Sequence, residues 1–368
     1  MELRRGHDTT ILLLAVVLTC FGVVMVYSSS SIMAIKRYDD GLFFLKRQGM
    51  FACLGFLLMA GFSQFDYHHL RRLAVPGLFL CAALLAVVFI PGVGSHAGGA
   101  SRWIRLPGFS FQPSELAKLG LILYMAHSLA KKQEKIKSFK MGFIPYMVVL
   151  ALFLVLLLAQ PDLGSALTLG AVAMVMLLVA GTRLSYLFSI VILALPFLYF
   201  AVMNVDYRRK RIMAFLNPWQ DPTNTGFQII QSWIAFGSGG IWGMGLGEGK
   251  QKLFYLPEAH TDFICSVVGE ELGFAGVMVV SAMFLVLVLR GFRTAMLAPD
   301  DFGRFLAFGL SLLLGLEAFV NFAVVMGMVP TKGLALPFVS YGGTSLLCTL
   351  IAIGILLNIS SQVKEEGR

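Results

Sequence analysis

The sequence predicts an all-α, polytopic membrane protein, a ten-transmembrane-helix bundle with a large exoplasmic loop between helices 7 and 8. Of the 368 residues, 58% are hydrophobic and only 13% are charged, against about 25% charged residues in a soluble domain. Apolar runs of about 17 residues or more recur along the whole chain, and each is long enough to cross a hydrocarbon core of about 30 Å. A water-soluble fold could not bury this much apolar surface.

Ten apolar segments are predicted to cross the membrane in one continuous domain, residues 1–368, since no internal repeat or low-complexity tail is visible. The segments are 10–26, 48–62, 73–90, 114–130, 142–159, 163–181, 185–203, 263–289, 305–327 and 344–359. The second is short, and the fourth carries Glu115, Lys118 and His127. An even number of spans places both termini on the same side.

The distribution of Lys and Arg predicts which side that is. Fifteen of these residues lie outside the spans on the side of the termini, and thirteen lie on the other side. Six of the thirteen belong to the long loop 204–262, and long loops contribute little to the positive-inside rule, so the useful comparison is fifteen against seven. Both termini are therefore expected in the cytoplasm.

The net charge of +9 does not indicate nucleic acid, because the basic residues are spread over many membrane edges and form no basic domain. Anionic lipid is the expected counter-charge. Three exoplasmic loops, 91–113, 204–262 and 328–343, are richer in polar and aromatic residues than a simple connection requires. Function is expected in these loops.

Within the long loop, residues 226–236 have apolar side chains at helical spacing, which predicts an interfacial or re-entrant helix. Seven glycines follow between Gly237 and Gly249. They could cradle a phosphate, although the Walker spacing is absent, or they could form a flexible or close-packed turn.

Charged residues inside spans are costly in lipid and therefore face the bundle interior or a wet cavity. Glu115 and Lys118 are three residues apart on one helix face, so they can pair with each other. Glu270 and Glu271 lie about 12 Å along the eighth span, at 1.5 Å per residue, which is near the bilayer middle. Glu317 lies comparably deep, and a structural role in helix packing is favoured for these last three.

Asp262 closes the long loop in the run LPEAHTDFI, directly before the eighth span. From spacing alone the favoured interpretation is a helix N-cap, because Asp accepts backbone N–H groups there and complements the helix dipole. A catalytic carboxylate is the alternative.

Four strings carry a resemblance to a known family. They are GGASRWIRLPGFSFQPSELAKL at 98–119, NPWQDPTNTGFQIIQSWIAFGSGGIWGMGLGEGKQKLFYLPEAHTDFI at 217–264, GEELG at 269–273, and PTKGLALPFVSYGGTS at 330–345. The chain resembles the SEDS family (shape, elongation, division and sporulation; RodA, FtsW and SpoVE) over nearly its whole length. The forms FSFQPSEL and PTKGL are more similar to the division-associated FtsW branch.

The resemblance implies a peptidoglycan glycosyltransferase that polymerises lipid II into undecaprenyl diphosphate-linked glycan at the outer face of the bacterial cytoplasmic (inner) membrane. The implied partners are a class B penicillin-binding protein, which cross-links the strands, and the division or elongation machinery, so the division septum is the expected location. The essential loop aspartate of the family matches Asp262, and its fourth-helix pair matches Glu115 and Lys118. Three further residues fall within family loop motifs and are expected to bind substrate: Arg102, Glu258 and Lys332.

The chemistry of this transfer fits those residues. A sugar hydroxyl needs a base, whereas a diphosphate leaving group needs cations more than it needs a general acid. One carboxylate is therefore enough, and burial beside Glu258 would raise the pKa of Asp262 to a useful value. Arg102, Lys332 and Lys118 are expected to hold the diphosphate, with the basic run 208–211 as a further candidate. No cofactor follows from the residues, and a divalent cation, Mg²⁺ or Mn²⁺, stays open as a second holder of the diphosphate.

Two other classes of function remain as alternatives. A lipid II flippase would place function in Glu270, Glu271 and Glu317, although the internal symmetry common in transporters is not visible. A non-catalytic scaffold for the penicillin-binding protein would tolerate replacement of Asp262.

Overall fold

The chain folds into helices wherever it runs apolar for about a bilayer thickness. A computed structural model describes residues 6–91, 94–97, 100–106, 109–253, 256–331 and 333–363. These residues form twelve α-helices and one three-stranded sheet. The helices are α1 (Thr9–Tyr38), α2 (Phe43–Gln64), α3 (Leu70–Val87), α4 (Pro113–Lys131), α5 (Ile144–Ala159), α6 (Leu163–Val179), α7 (Leu184–Met203), α8 (Asp206–Leu216), α9 (Phe227–Gly239), α10 (Ile264–Leu297), α11 (Asp301–Val325) and α12 (Gly343–Ser361).

Each of the ten predicted spans overlaps one of the helices α1 to α7 or α10 to α12. Eight helices among the described residues are long and apolar enough to cross a membrane. The other two are α6, which has 17 residues, and α4, which buries Glu115 and Lys118. The all-α polytopic fold is thus confirmed, and the number of ten crossings stays a prediction.

A small antiparallel sheet occupies the segment 94–111, which the sequence had predicted only as a loop. Its strands, in the order β1-β2-β3, are β1 (Gly94–Ala97), β2 (Ala100–Leu106) and β3 (Phe109–Phe111). Ile104 of β2 pairs with Phe111 of β3. Ile104 is buried and Arg105 is exposed, as expected for a strand with one face on the bundle. Arg102 lies on the same strand.

The helix α10 breaks at Gly273, whose backbone is non-helical (φ 67°, ψ −169°). The predicted span 263–289 overlaps this helix, but the break within it was not predicted. Glycine accepts a positive φ at little cost. The glycine-rich segment after α9 satisfies the backbone groups that the break releases. Four bonds do this: Phe274 N to Gly240 O (2.9 Å), Ala275 N to Ile241 O (3.0 Å), Met244 N to Glu270 O (3.0 Å) and Gly245 N to Glu271 O (3.0 Å).

Residues 328–331 and 333–342, which we call the cover segment, turn back into the bundle after α11. The carbonyl of Phe338 lies so close to Gly22 of α1 that an added Cβ would overlap it. Gln48 of α2 donates to the carbonyl of Ser340 at 3.3 Å. The cover segment also packs beside residues 256–263, which we call the aspartate segment, since Tyr341 N donates to the carbonyl of His260 at 2.9 Å. We call this end of the bundle, which also carries the sheet, α8 and α9, the loop end.

Candidate active site

Asp262 lies on the aspartate segment but does not cap α10. The N-cap position is Phe263, and no side chain forms a cap bond there, so the interpretation of Asp262 as a helix cap is wrong. The chain enters the helix through a tight turn at Glu258, which has a left-handed backbone (φ 56°). The carbonyl of Glu258 accepts from Thr261 N at 3.1 Å and from Phe263 N at 3.3 Å. The turn replaces the extended geometry that an Asp cap needs.

The environment of Asp262 makes its carboxyl group an unusually good base. Burial is the largest cause and, with the negative charge of Glu258, raises its pKa from 3.8 to about 7. The positive charges of Arg211 and Arg102 act in the opposite direction, and Asp162 adds to the rise. A carboxyl group with this pKa is half ionised near neutral pH and can accept a proton.

Two arginines from different elements, Arg102 and Arg211, lie near Asp262, and a third, Arg208 of α8, lies near Arg102. Arg102 of β2 donates to the carbonyl of Pro161, and its buried Nε has no hydrogen-bond partner among the described residues. Arg211 of α8 donates to the carbonyl of Thr331 at 2.9 Å. Burial and the nearby Arg102 lower the pKa of Arg208. Guanidinium groups bind phosphate oxygens in a planar, two-pronged geometry, so this cluster suits a diphosphate.

Among the other predicted site residues, Glu258 lies near Asp262. Its carboxylate accepts from Thr261 Oγ1 at 2.9 Å. Lys332 lies outside the described residues. Its predicted role in binding the diphosphate stays a prediction.

Glu115 and Lys118 form a buried cluster with Glu317. The ammonium of Lys118 donates to Glu115 at 2.8 Å and also to Glu317, so the predicted pairing is confirmed. The cavity beside the three side chains has a volume of about 10 Å³, which is too small for a sugar or a diphosphate. In this conformation the lysine is engaged inside the bundle, and its predicted contact with substrate stays untested.

Glu270 and Glu271 hold the glycine-rich segment. Glu271 accepts from Ser28 Oγ at 2.7 Å and from Lys252 Nζ at 2.8 Å. Ser28 lies beyond the end of the first predicted span, so Glu271 is at the loop end. The predicted depth of Glu270 and Glu271 near the bilayer middle stays a prediction, and both residues precede the break at Gly273.

The same glycine-rich segment does not form a phosphate cradle. Its backbone N–H groups donate to the chain's own carboxylates, as Gly247 does to Glu271 at 3.1 Å and Lys250 to Glu270 at 2.8 Å. An added Cβ at Gly239 or Gly243 would overlap the backbone of α10. The alternative of a close-packed turn is confirmed.

Two residues of the site were missed by reasoning from the sequence. Asp162 caps α6 by accepting from Ser165 N at 3.1 Å, and an Asp directly before a predicted helix was the signal for it. The other is Asn321, which follows Glu317 by one turn on α11. Its amide donates to the carbonyl of Asp262 at 3.0 Å. The single helical turn from Glu317 to Asn321 therefore connects the buried cluster to the aspartate segment.

Within the described residues, no group of three or more His, Cys, Asp or Glu side chains is placed to hold a metal ion. The question of a divalent cation is therefore still open, since a substrate diphosphate would itself supply ligands.

Comparison with known proteins gives consistent matches over the whole chain. The sequence model of a family described as "Cell cycle protein" (FtsW, RodA, SpoVE) matches residues 8–365. A protein of Geobacter metallireducens named "Probable peptidoglycan glycosyltransferase FtsW" is 67% identical over 363 residues, which cover 99% of this chain and 96% of that protein.

Two solved structures have the same fold. One, described as "Structural coordination of polymerization and crosslinking by a peptidoglycan synthase complex", matches with a TM-score of 0.79 and 31% identity over 96% of this chain and 97% of the other. The other is the rod shape determining protein RodA of Thermus thermophilus, with a TM-score of 0.72 and 28% identity over 98% of each chain.

Proposed function

We propose that this chain, which belongs to the SEDS family and to its FtsW branch, polymerises lipid II with Asp262 as the general base. The chain is a peptidoglycan glycosyltransferase and a multi-pass membrane protein. The substrate and the roles of individual residues go beyond that and are argued below. The observation that carries them is the raised pKa of Asp262, about 7, beside a cluster of arginines.

The proposed reaction is a single displacement at a sugar carbon. The 4-hydroxyl oxygen of the acceptor sugar forms a bond to the anomeric carbon of the donor. The bond from that carbon to the diphosphate oxygen breaks, and the electron pair leaves with the undecaprenyl diphosphate. The hydroxyl proton goes to the carboxylate of Asp262. This displacement inverts the configuration of the anomeric carbon.

The cations support the leaving group rather than the base. Arg102 and Arg211 come from different elements and face the same carboxylate, so a diphosphate bound beside Asp262 would lie between them. Negative charge grows on that group as the bond breaks, and fixed guanidinium groups stabilise it without rearrangement. Lys332 is a further proposed contact, on the basis of the family resemblance alone.

The pair Glu115 and Lys118 has an indirect role in this proposal. Lys118 is neutralised by two carboxylates, one of which, Glu317, is on α11. Asn321 is one turn further along α11 and contacts the aspartate segment. The buried cluster would therefore fix the position of α11 and, through it, the backbone of Asp262, instead of binding the diphosphate itself.

The flippase alternative has less support. Its candidate carboxylates all have partners within the chain: Glu317 binds Lys118, Glu271 binds Ser28 and Lys252, and Glu270 accepts from the backbone of Lys250. Groups that move a charged headgroup through the bundle would need to face an open path. The scaffold alternative does not explain a carboxyl group with a raised pKa among arginines.

The proposed setting follows from the family and from the charge distribution. Both termini are in the cytoplasm, the loop end faces outward, and the enzyme acts at the division septum. A class B penicillin-binding protein is the proposed partner, because the solved complex that this fold matches couples polymerization to crosslinking.

The test is polymerisation of labelled lipid II by the purified full-length chain, with and without its cognate class B penicillin-binding protein. Wild type is expected to make glycan strands and Asp262→Ala none at equal folded protein. Asp206→Ala is the control, because Asp206 is exposed on α8, where it pairs with Arg209. Equal product from Asp262→Ala would refute the role of Asp262. Translocation of lipid II across vesicles without polymerisation would favour the flippase.

A further inference from the structure

Three consecutive carbonyl groups of the aspartate segment are each held by a separate hydrogen bond. The carbonyl of His260 accepts from Tyr341 N at 2.9 Å, and that of Thr261 accepts from Ser340 Oγ at 2.6 Å. The carbonyl of Asp262 accepts from Asn321 Nδ2 at 3.0 Å. The first two donors belong to the cover segment and the third to α11. The backbone that carries Asp262 is thus fixed residue by residue.

Asn321 joins both segments with one side chain. It is only 1% exposed, and its second N–H donates to the carbonyl of Leu334 in the cover segment at 2.7 Å. Both contacts are to acceptors, so the orientation of the amide is determined by its partners. An apolar residue of the same size could pack here but could not tie the two segments together.

The oxygen of the same amide also indicates that Asn321 is present for its hydrogen bonds and not for packing. Asn321 Oδ1 is buried and has no hydrogen-bond partner among the described residues. Such an atom lowers folding stability, because it gives up its hydrogen bonds to water without replacing them. A residue selected only for packing would avoid this cost. The two hydrogen bonds that the amide donates therefore explain why an asparagine is found at this position.

These bonds also set the distance between the cover segment and the carboxylate of Asp262. Leu334, which Asn321 holds, follows Gly333 directly. A Cβ atom added at Gly333 would lie 3.1 Å from Asp262 Oδ2. One side chain thus controls both the backbone of Asp262 and the backbone that covers its carboxylate.

We infer that Asn321 is a positioning residue for Asp262, holding the base against the cover segment and away from water. The inference rests on the proposed function, in which Asp262 is the general base. Nothing in it requires Asn321 to touch the substrate.

The charges around Asp262 predict how a loss of Asn321 would be seen. Glu258 acts on it from its own segment, Arg102 from β2, Arg211 from α8, and Asp162 from the start of α6. His260 of the same segment lies beside Glu258. Burial is the largest cause of the raised pKa. Without the tie the carboxyl group gains water, so its pKa falls toward its ordinary value.

The test compares the pH dependence of lipid II polymerisation, with the partner protein present, for wild type and Asn321→Leu. We expect kcat to fall about 10- to 100-fold, as for a displaced catalytic group, with little change in KM. We also expect the acidic limb of the profile to move to lower pH by about one unit, in line with the loss of burial. Asn321→Gln keeps the amide donors and is expected to recover part of the activity.

Asn358→Leu is the matched control. Asn358 is also 1% exposed, and its amide donates to Ser63 O at 2.8 Å and accepts from Tyr67 N at 2.9 Å. It lies near the far end of α12, remote from Asp262. Its loss is expected to lower thermal stability by a similar amount and to leave the acidic limb in place.

The inference would be overturned if the acidic limb of the Asn321→Leu profile stays in place and activity falls equally at every pH, as for Asn358→Leu. That result would leave the role of Asp262 intact. If Asn321→Leu does not fold, Ser340→Ala removes the bond to Thr261 O together with the one from Leu336 N, and it must show a shift in the same direction. Polymerisation that survives in Asp262→Ala would instead overturn the proposed function itself.

Discussion

The backbone of Gly333 lies directly against the carboxylate of Asp262, such that an added Cβ atom would come within 3.1 Å of Oδ2. Real Cβ atoms rarely approach that closely, so the carboxylate or the cover segment would move by a few tenths of an ångström. We predict that Gly333→Ala lowers kcat about tenfold with little loss of thermal stability, because small displacements of a catalytic group are costly. The control is Gly237→Ala, where the added Cβ meets no atom within 4 Å. Similar activity for the two variants would show that the close approach of Gly333 to the Asp262 carboxylate does not affect catalysis.

Asp262→Asn is predicted to stabilise the protein while abolishing polymerisation. The pKa of Asp262 rises from 3.8 to about 7 on folding, so between these values the folded chain binds more protons than the unfolded chain. Stability contributed by this group therefore falls as pH rises through that range. The neutral amide removes the penalty, by on the order of 1 kcal/mol for a partly solvated group. Thermal unfolding in detergent at pH 8 and pH 4 checks this, and the gain should be present only at pH 8.

Arg211→Gln is predicted to impair polymerisation most strongly below neutral pH. Arg211 lowers the pKa of Asp262, so its removal should move the acidic limb of the profile to higher pH. The loss of a phosphate contact should also raise KM for lipid II. Arg209→Gln is the control on the same helix, because Arg209 is exposed and pairs with Asp206. If the acidic limb of the profile moves to lower pH, or does not move, Arg211 does not act on Asp262.

The buried cluster of Lys118, Glu115 and Glu317 is predicted to respond unequally to single changes. Lys118→Met leaves two buried carboxylates without their cation and should cost about 3–5 kcal/mol of stability. Glu317→Gln leaves Lys118 paired with Glu115 at 2.8 Å and should cost much less. Thermal unfolding of the two variants in detergent measures the difference. Equal destabilisation would indicate that Glu317 is as important to the cluster as the lysine.

The membrane spans could be predicted from the sequence more completely than the site could. Hydropathy located all ten predicted segments on helices, because burial in lipid is a local property of each segment. The break at Gly273 was missed, since its positive φ depends on partners more than 25 residues earlier in the chain, at Gly240 to Gly245.

Asp262 was assigned through resemblance, whereas its spacing favoured a helix cap that does not form. A cap needs an extended residue at the helix start, and the turn at Glu258 prevents it. The bonds from Asn321 reach 59 residues back and 13 residues ahead. No local pattern encodes contacts over such distances.

The most direct test of the central claim is the pH dependence of kcat/KM for lipid II polymerisation by the wild-type protein with its partner. If Asp262 is the general base with a pKa of about 7, the rate should rise tenfold per pH unit at low pH and level off above about pH 7. A rate that stays constant from about pH 5 to pH 8 would contradict the account, because a general base with a pKa of about 7 becomes protonated and inactive in the lower part of that range.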